Sequence, residues 1–297
     1  MSITDSGSSR RWLIFGVWAA LTLLAFWKPV YEIVQLALHD ETSSHILLIP
    51  FISGWLIYTA QKQTKPVGSL NLLPAVVFLL PGLLLTIFAL QCSSCTSKTR
   101  LSAYALAIIL VLIAGFILIL GAARARASSF GLAFLLFCIP IPDSVLNRVI
   151  YWLQSGSAAI AEVFFNLSGA PVLREGFVFR LPKYSIEVAR ECSGIRSSLA
   201  LLILALLVAH SSFRPLWKKL VFVLAGLCMM LIKNGIRITS LTLLANYVNP
   251  GFLFGRLHHQ GGIIFFLIGL ALLVPVFWLL RKGETSTAEQ PLRVAER

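Results

Sequence analysis

Long apolar runs alternate with short polar segments along almost the whole chain. A helix needs roughly 20 apolar residues to cross a bilayer. Eight runs approach this length and predict membrane spans: residues 12–27, 46–60, 71–91, 101–121, 130–142, 194–210, 217–243 and 260–280. The pattern therefore predicts an all-α polytopic membrane protein with about eight transmembrane helices, which form one integral membrane domain over residues 1–282. Residues 283–297 are polar and charged, which predicts a disordered cytoplasmic tail.

One segment between the predicted spans is too long for a simple loop. Residues 145–167 repeat apolar positions at helical spacing with polar residues between them, which predicts an extracytoplasmic interfacial helix. Residues 172–188 alternate apolar and polar side chains around Pro182 and Lys183, which predicts a short β-hairpin before the sixth span. Because the hairpin leads directly towards Cys192, we expect it to form one wall of a cleft for an extended peptide.

Composition supports a membrane protein and changes the meaning of the charge. The chain is 58% hydrophobic and 12% charged, which excludes an ordinary globular protein. Its formal net charge of +13 would suggest a nucleic-acid partner in a soluble chain. No stripe of alternating basic and aromatic residues is present, so we expect no nucleic-acid partner. The cations are instead assigned to loop orientation and to contact with membrane lipid.

Basic residues concentrate in alternate loops between the predicted spans. If the N-terminus is cytoplasmic, the cytoplasmic loops carry Lys62, Lys65, Arg124, Arg126, Arg214, Lys218, Lys219, Arg281 and Lys282. This distribution follows the positive-inside rule and predicts that both termini are cytoplasmic. The outer loop at residues 92–100 departs from the rule because it contains Lys98 and Arg100. Cys92 and Cys95 lie in the same loop at a spacing that allows a local disulfide, and the sequence does not decide whether it forms.

The segment R-E-C-S-G-I-R at residues 190–196 is a candidate for covalent chemistry. It places the thiol of Cys192 between cations at the start of an apolar run. Nearby arginine charge and the free N–H groups of a helix N-terminus both favour the thiolate, which is the nucleophilic form of cysteine. The alternative is that Cys192 packs as a small apolar side chain.

Further candidates fall on the same predicted outer side of the membrane as Cys192. Arg237 lies one helical turn from Lys233 in the otherwise apolar seventh span, where a cation is unfavourable and function is the default interpretation. Alternatively, Arg237 extends to the lipid head groups. His258 and His259 precede the eighth span and can exchange protons near neutral pH. The coincidence of a thiol, a guanidinium and an imidazole favours an active site over a purely interfacial histidine.

Four short motifs occur in a fixed order along the chain. They are I-P-x-P at residues 139–142, E-C-S-G-I-R-S at 191–197, N-x-x-R at 234–237 and H-x-x-x-G at 258–262. Together they resemble the exosortase and archaeosortase family of polytopic membrane cysteine transpeptidases, and the resemblance extends over about residues 44–280. An early S-H-G motif of that family is partly present as Ser44-His45, with Ile46 in place of glycine.

The resemblance implies a role for each matching residue. Cys192 would attack the scissile carbonyl and form a thioester, His258 would move protons, and Arg237 would stabilise the oxyanion or the thiolate. The supporting positions are Glu191, Arg196, Asn234, His259 and His45. No cofactor or metal is expected.

The resemblance also implies a substrate class and a location. The substrates would be exported proteins with a C-terminal sorting signal, which consists of a short motif, a transmembrane helix and a basic tail. The enzyme would lie in the bacterial cytoplasmic (inner) membrane with its active site on the extracytoplasmic side. The resemblance does not identify the acceptor nucleophile.

Two other functions fit parts of the pattern. A membrane thiol hydrolase would use the same three residues and release its product to water without transfer. A transporter or polysaccharide-export permease would use the cations of the seventh span to line a substrate path. No inverted repeat in the sequence supports the transporter.

Overall fold

The computed structural model describes residues 4–62, 72–182, 185–253 and 262–288. It divides into two compact units, Met1–Leu146 and Asn147–Arg297. Within the described residues, five helices are long and apolar enough to cross a membrane, and the number rises to seven if each of two bent helix pairs forms one span. The helical membrane architecture is therefore confirmed, whereas the predicted number of about eight spans is not.

The first unit consists of helices and short 3₁₀ turns. Its elements are α1 (Thr4–Ala25), α2 (Trp27–His39), a 3₁₀ turn (Ser44–Leu47), α3 (Ile49–Gln61), α4 (Leu72–Gln91), α5 (Ser97–Leu120), α6 (Ala122–Ala127), α7 (Ser129–Phe134) and a second 3₁₀ turn (Leu135–Cys138). The side chain of Thr96 caps α5 by accepting a hydrogen bond from the backbone N–H of Thr99. Phe116 of α5 is fully buried at the centre of the main apolar cluster. The first unit is thus packed around α5.

Breaks in the helices explain why the predicted and observed spans differ. The axes of α1 and α2 differ by 80°. Pro29 has no N–H to donate to the carbonyl of Ala25, which removes one helical hydrogen bond and favours a bend at this point. The predicted second span contains only the 13-residue helix α3, which is too short to cross a bilayer alone. A bend of 95° follows the second 3₁₀ turn, where Pro140 and Pro142 precede α8 (Asp143–Ser168).

Contacts between loops show which segments share an end of the first unit. Lys98 at the start of α5 donates to Asp40 after α2, with a distance of 2.8 Å between Nζ and Oδ2. Beyond the opposite end of α5, Gln61 at the end of α3 donates to Ser128 before α7, at 2.7 Å. The two contacts lie at opposite ends of α5. Lys98, the cation that departs from the positive-inside rule, is matched by a carboxylate.

The second unit contains most of α8, a small sheet and three long helices. The further elements are β1 (Leu173–Glu175), β2 (Val178–Arg180), β3 (Ser185–Glu187), a 3₁₀ turn (Arg190–Ser193), α9 (Ile195–Ser212), α10 (Leu216–Tyr247), a 3₁₀ turn (Pro250–Leu253) and α11 (Gly262–Ala288). The long helix predicted over residues 145–167 is confirmed as α8. Part of the predicted tail belongs to α11, and residues 289–297 lie outside the described residues.

The sheet is antiparallel, with the strand order β1-β2-β3. Phe179 of β2 lies opposite Ile186 of β3, which confirms the predicted hairpin, although Lys183 of its predicted turn lies outside the described residues. The additional strand β1 was not predicted. Phe179 is fully buried against Phe165 of α8, with 5.1 Å between the ring centroids. The sheet is therefore anchored on α8.

Candidate functional site

Cys192 lies in a tight turn that leads into α9. The backbone forms a 3₁₀ turn over Arg190–Ser193, Gly194 follows with a φ of 69°, and α9 begins at Ile195. The thiol-bearing residue thus comes just before a helix N-terminus, as the sequence predicts, and the unpaired N–H groups of the first turn favour an anion there. The backbone of Glu191 and Cys192 is described, whereas their side chains lie outside the described part of the protein.

The turn containing Cys192 packs directly on α10 at Gly194. A Cβ atom added to Gly194 would lie 2.8 Å from Oδ1 of Asn234 and 3.5 Å from Nζ of Lys233. The positive φ independently disfavours a side chain at this position. Gly194 is therefore required both by its backbone conformation and by the close approach of α10. This contact joins two motifs that are some 40 residues apart in the sequence, a separation over which sequence spacing alone predicts no contact.

Lys233 connects α10 to the first turn of α9. It is 1% exposed, and its Nζ donates a hydrogen bond to Oγ of Ser197. Ser197 in turn donates to the carbonyl of Gly194 at 3.1 Å. Lys233 also packs beside Gly269 of α11, where an added Cβ would lie 3.3 Å from its Cγ. A buried cation therefore lies at the base of the turn that carries Cys192.

Helix α8 holds both motifs through polar contacts. Gln154 donates to the carbonyl of Val188, shortly before the turn containing Cys192, at 2.8 Å. Ser157, one helical turn further along α8, accepts a hydrogen bond from Nδ2 of Asn234 at 3.0 Å. Both α8 side chains are buried. Because these bonds are shielded from water, each is expected to stabilise the arrangement by about 1 kcal/mol.

The close packing of α8 and α10 depends on a second glycine. A Cβ atom on Gly235 would lie 2.5 Å from the side chain of Ile160. The absence of a side chain lets α10 approach α8 at the level of Asn234, and Thr239 then donates to the carbonyl of Ala161 at 3.3 Å. Asn234, the first residue of the N-x-x-R motif of α10, is therefore held at a fixed position against α8.

The other predicted residues occupy different environments. Arg237 lies half-buried on α10, one turn after Lys233, whereas Arg196 is exposed in the first turn of α9. Asn234 is buried against the turn containing Cys192. His258 and His259 lie outside the described residues. The structure thus brings Asn234 and Lys233 to the backbone beside Cys192 and extends a second cation, Arg237, along the same helix.

His45 belongs to the first unit. It lies in the 3₁₀ turn Ser44–Leu47. Burial lowers the pKa of its imidazole, while hydrogen bonds to the backbone of Thr42 and Phe137 act in the opposite direction. These bonds join the loop before α3 to the second 3₁₀ turn. His45 therefore links two segments of its own unit.

Four polar residues of the site were not among the candidates from sequence: Gln154, Ser157, Ser197 and Lys233. Lys233 carried a usable signal, because a cation in an apolar helix is unfavourable without a role. Ser197 lies in the E-C-S-G-I-R-S motif, whereas Gln154 and Ser157 carried no signal, since their positions are typical of the polar face of any helix. Among the described residues, no group of three or more His, Cys, Asp or Glu side chains is arranged to hold a metal ion.

Comparison with known proteins assigns this arrangement to a family. The family model described as transmembrane exosortase matches residues 37–275. The matched region contains all four motifs, both partners of the Gly194–Asn234 contact and the positions of His258 and His259. No curated protein and no solved structure matches the chain.

Proposed function

The chain belongs to the transmembrane exosortase family, and from that membership we propose that it is a membrane cysteine transpeptidase that removes the C-terminal sorting signal of exported proteins. One observation carries the proposal beyond family membership. The E-C-S-G-I-R-S motif contacts the N-x-x-R motif through Gly194 and Asn234, in a space that admits no side chain at position 194. Such close packing is expected where a thiol and a guanidinium must be held in a fixed relation.

In the proposed reaction, the thiolate of Cys192 attacks the carbonyl carbon of the scissile peptide. Arg237 stabilises the negative charge on the carbonyl oxygen, because a fixed guanidinium in a poorly solvated site interacts strongly with an oxyanion. His258 donates a proton to the amine as the C–N bond breaks, and the transmembrane tail departs. The enzyme is left with a thioester to the substrate's new C-terminus. An acceptor nucleophile then attacks the thioester and regenerates the thiol.

The small sheet offers a way to bind the sorting motif. Strand β3 is at the edge of the sheet and leads within a few residues to Cys192. An extended peptide that adds to this edge would be held by main-chain hydrogen bonds and would run towards the thiol. In this proposal the short motif of the substrate pairs with the edge, and the following transmembrane helix and basic tail remain in and below the membrane.

We place the active site on the extracytoplasmic side of the bacterial inner membrane, with both termini in the cytoplasm. The positive-inside distribution supports this orientation. The disulfide between Cys92 and Cys95 also supports it, because the loop that contains them is predicted to be outside, where disulfides persist. Alkaline phosphatase fused after Cys95 should be active, and the same reporter fused after Arg126 should be inactive. The reverse result would overturn the orientation.

Replacement of Cys192 by Ala tests the proposed chemistry. The variant is expressed with a tagged substrate that ends in a sorting motif, a transmembrane helix and a basic tail, and removal of the tail is followed on immunoblots. Processing should stop in Cys192→Ala. Cys228→Ala is the matched control, because Cys228 is an exposed free cysteine of α10. This variant should process the substrate normally. Continued processing by Cys192→Ala would rule out the cysteine mechanism.

Two further experiments refine the assignment. Separate His258→Ala and His259→Ala variants should show much the larger loss for His258, and equal losses would overturn the choice between the two imidazoles. Mass spectrometry of the processed substrate should find a new C-terminus joined to an acceptor. A free carboxylate there would instead identify a thiol hydrolase.

A further inference from the structure

Lys233 is a buried cation that the proposed reaction does not use. Its side chain is almost wholly inaccessible, and among the described side chains no carboxylate lies within ion-pair distance of it. A buried charge without an opposite charge is strongly unfavourable, more so in a helix that crosses a membrane. A lysine in this place therefore indicates that an anion is formed or bound beside it.

The hydrogen bonds around Lys233 point towards the turn containing Cys192. A serine hydroxyl has one proton to donate. Ser197 donates this proton to the carbonyl of Gly194, and its oxygen accepts a hydrogen bond from Lys233. Among the described residues, no base therefore accepts the Ser197 proton to activate it as a nucleophile. The ammonium group consequently fixes Gly194 through Ser197, and it also lies 3.5 Å from the position of a Gly194 Cβ. Gly194 is two residues after Cys192.

We propose that Lys233 is a positioning residue of the thiol site, which holds the turn containing Cys192 through Ser197 and supplies a buried positive charge beside that turn. The inference rests on the proposed function only for the identity of Cys192 as the nucleophile. The charge has the same sign as the N-terminal end of the α9 dipole, so both favour a thiolate or an oxyanion at this point.

The described neighbours of Lys233 provide no negative charge. Among the described side chains near Lys233, α9 contributes Ser197, and α11 contributes Gly269 with Leu201 of α9 beside it; none of these three titrates. The charged group that acts on Lys233 from its own helix is Arg237, which is also a cation. Two positive charges on one face of α10 repel each other, and an anion between α9 and α10 relieves that repulsion. Negative charge beside Lys233 is therefore favoured.

The test measures the thiol directly and does not depend on proteolysis. The full-length protein in detergent is treated with iodoacetamide over a range of pH, and alkylation of the peptide that contains Cys192 is quantified by mass spectrometry. In Lys233→Met, which keeps the length of the side chain and removes its charge, the midpoint pH of alkylation should rise by about one unit. Lys233→Arg should restore most of the shift, and Ser197→Ala should show a smaller rise.

Lys218→Met is the matched control. Lys218 is also a buried lysine of α10, 5% exposed, and its Nζ donates to the carbonyl of Leu280 at 2.8 Å. Its loss should leave the Cys192 midpoint unchanged. An unchanged midpoint in a folded Lys233→Met protein, or an equal shift in Lys218→Met, would overturn the inference. If Lys233→Met does not fold, the Ser197→Ala variant is the deciding test. An unchanged Cys192 midpoint in Ser197→Ala would then overturn the inference. Continued processing by Cys192→Ala would instead refute the proposed function and leave the measured shift intact.

Discussion

Two lysines, one in each unit, show how differently this protein treats positive charge. Lys98 of the first unit lies 2.8 Å from Asp40 and 3.8 Å from Asp143, so two carboxylates neutralise it. Lys233 of the second unit donates to the hydroxyl of Ser197, and no carboxylate pairs with it among the described side chains. The first charge is balanced within the fold. The second is left available for an anion.

Exposure increases the contrast between the two lysines. The side chain of Lys98 is 27% exposed, so water screens its ion pairs and each contributes little to stability. Lys233 is 1% exposed, where an electrostatic interaction is several times stronger. Substitutions around Lys98 should therefore change stability slightly, and substitutions around Lys233 should change chemistry strongly.

The largest effect is expected for Arg237, the second cation on the face of α10. Arg237→Gln should reduce the rate of tail removal at least about a hundredfold, as loss of an oxyanion contact does in other enzymes. Arg237→Lys should recover only part of the rate, because an ammonium lacks the planar fork of donors. The measurement is the initial rate of processing of the tagged substrate.

Lys98→Met is the control for Arg237→Gln, since it removes a balanced charge in the other unit. It should process within about twofold of the wild type, as expected for a partly exposed ion pair. A loss as large as that of Arg237→Gln would mean that the effect of Arg237 is not specific to its position on α10.

The next effect is expected at Gly194, which brings the turn containing Cys192 against α10. Gly194→Ala should reduce processing about tenfold or more, because the new methyl group would displace Asn234. Its free energy of unfolding should fall by more than the approximately 1–2 kcal/mol that a left-handed backbone costs a side chain. Both quantities are compared with those of Gly169→Ala.

Gly169 has the same φ of 69°, but open space surrounds the position of its Cβ. Gly169→Ala should therefore show the conformational destabilisation alone and keep its activity. Equal losses of activity in the two variants would mean that backbone strain, and not the contact with α10, explains Gly194.

A smaller effect is expected for Ser157, which holds Asn234 on α8. Ser157→Ala should lower the free energy of unfolding by about 1 kcal/mol and the processing rate several-fold, because the amide of Asn234 loses a buried partner. Ser155→Ala, two positions earlier on the same helix and only partly buried, is the control and should behave as wild type. Thermal unfolding in detergent and the processing assay measure the two quantities, and a larger loss at Ser155 would contradict the scaffold role of α8.

The smallest effect is expected at the balanced charge itself, as a function of pH. Burial by itself raises the pKa of Asp40, but hydrogen bonds from Lys98 and Thr42, together with the charge of Lys98, outweigh it and hold the pKa below its usual value. A lowered carboxyl pKa gives stability that is present above the usual pKa and is lost as the pH falls through the lowered one.

Asp40→Asn should therefore be less stable than the wild type at pH 7, by less than about 1 kcal/mol. The difference should disappear once the solution is acidic enough to protonate Asp40 in the folded wild type. Unfolding curves in detergent between neutral and acidic pH measure this. A difference that stays constant with pH would show that the carboxylate charge contributes nothing.

The sequence predicts those features of the fold that repeat along the chain. The apolar runs located α4, α5, α9, α10 and α11, and the alternation before Cys192 located the hairpin. The breaks were missed because hydropathy averages over many residues, and the prolines near them, Pro29, Pro140 and Pro142, do not distinguish a break from a continuous helix such as α4, which contains Pro81. Strand β1 was missed because it depends on pairing with β2, and the run at residues 46–60 located α3 but did not predict that it is too short to cross a bilayer alone.

The site could be predicted only in part. Cys192 and Arg237 stand out because a thiol between cations and a guanidinium in an apolar helix are both unusual. Lys233 was noticed for the same reason, but its contact with Ser197 depends on how α9 and α10 rotate about their axes. Hydropathy does not encode that rotation, which is fixed by close approaches such as Gly194 on Asn234. Gln154 has a partner in a backbone carbonyl, which no side-chain pattern reveals.

Helix α8 also determines where the chain can change in length. Gln154 and Ser157 are three residues apart, so the contacts with Val188 and Asn234 are separated by about 4.5 Å along one helix. Inserting one residue between them would turn Ser157 about 100° away from Asn234. We therefore expect insertions to be tolerated better after Gly169, where an added Cβ would meet open space, than within α8 between Gln154 and Ser157.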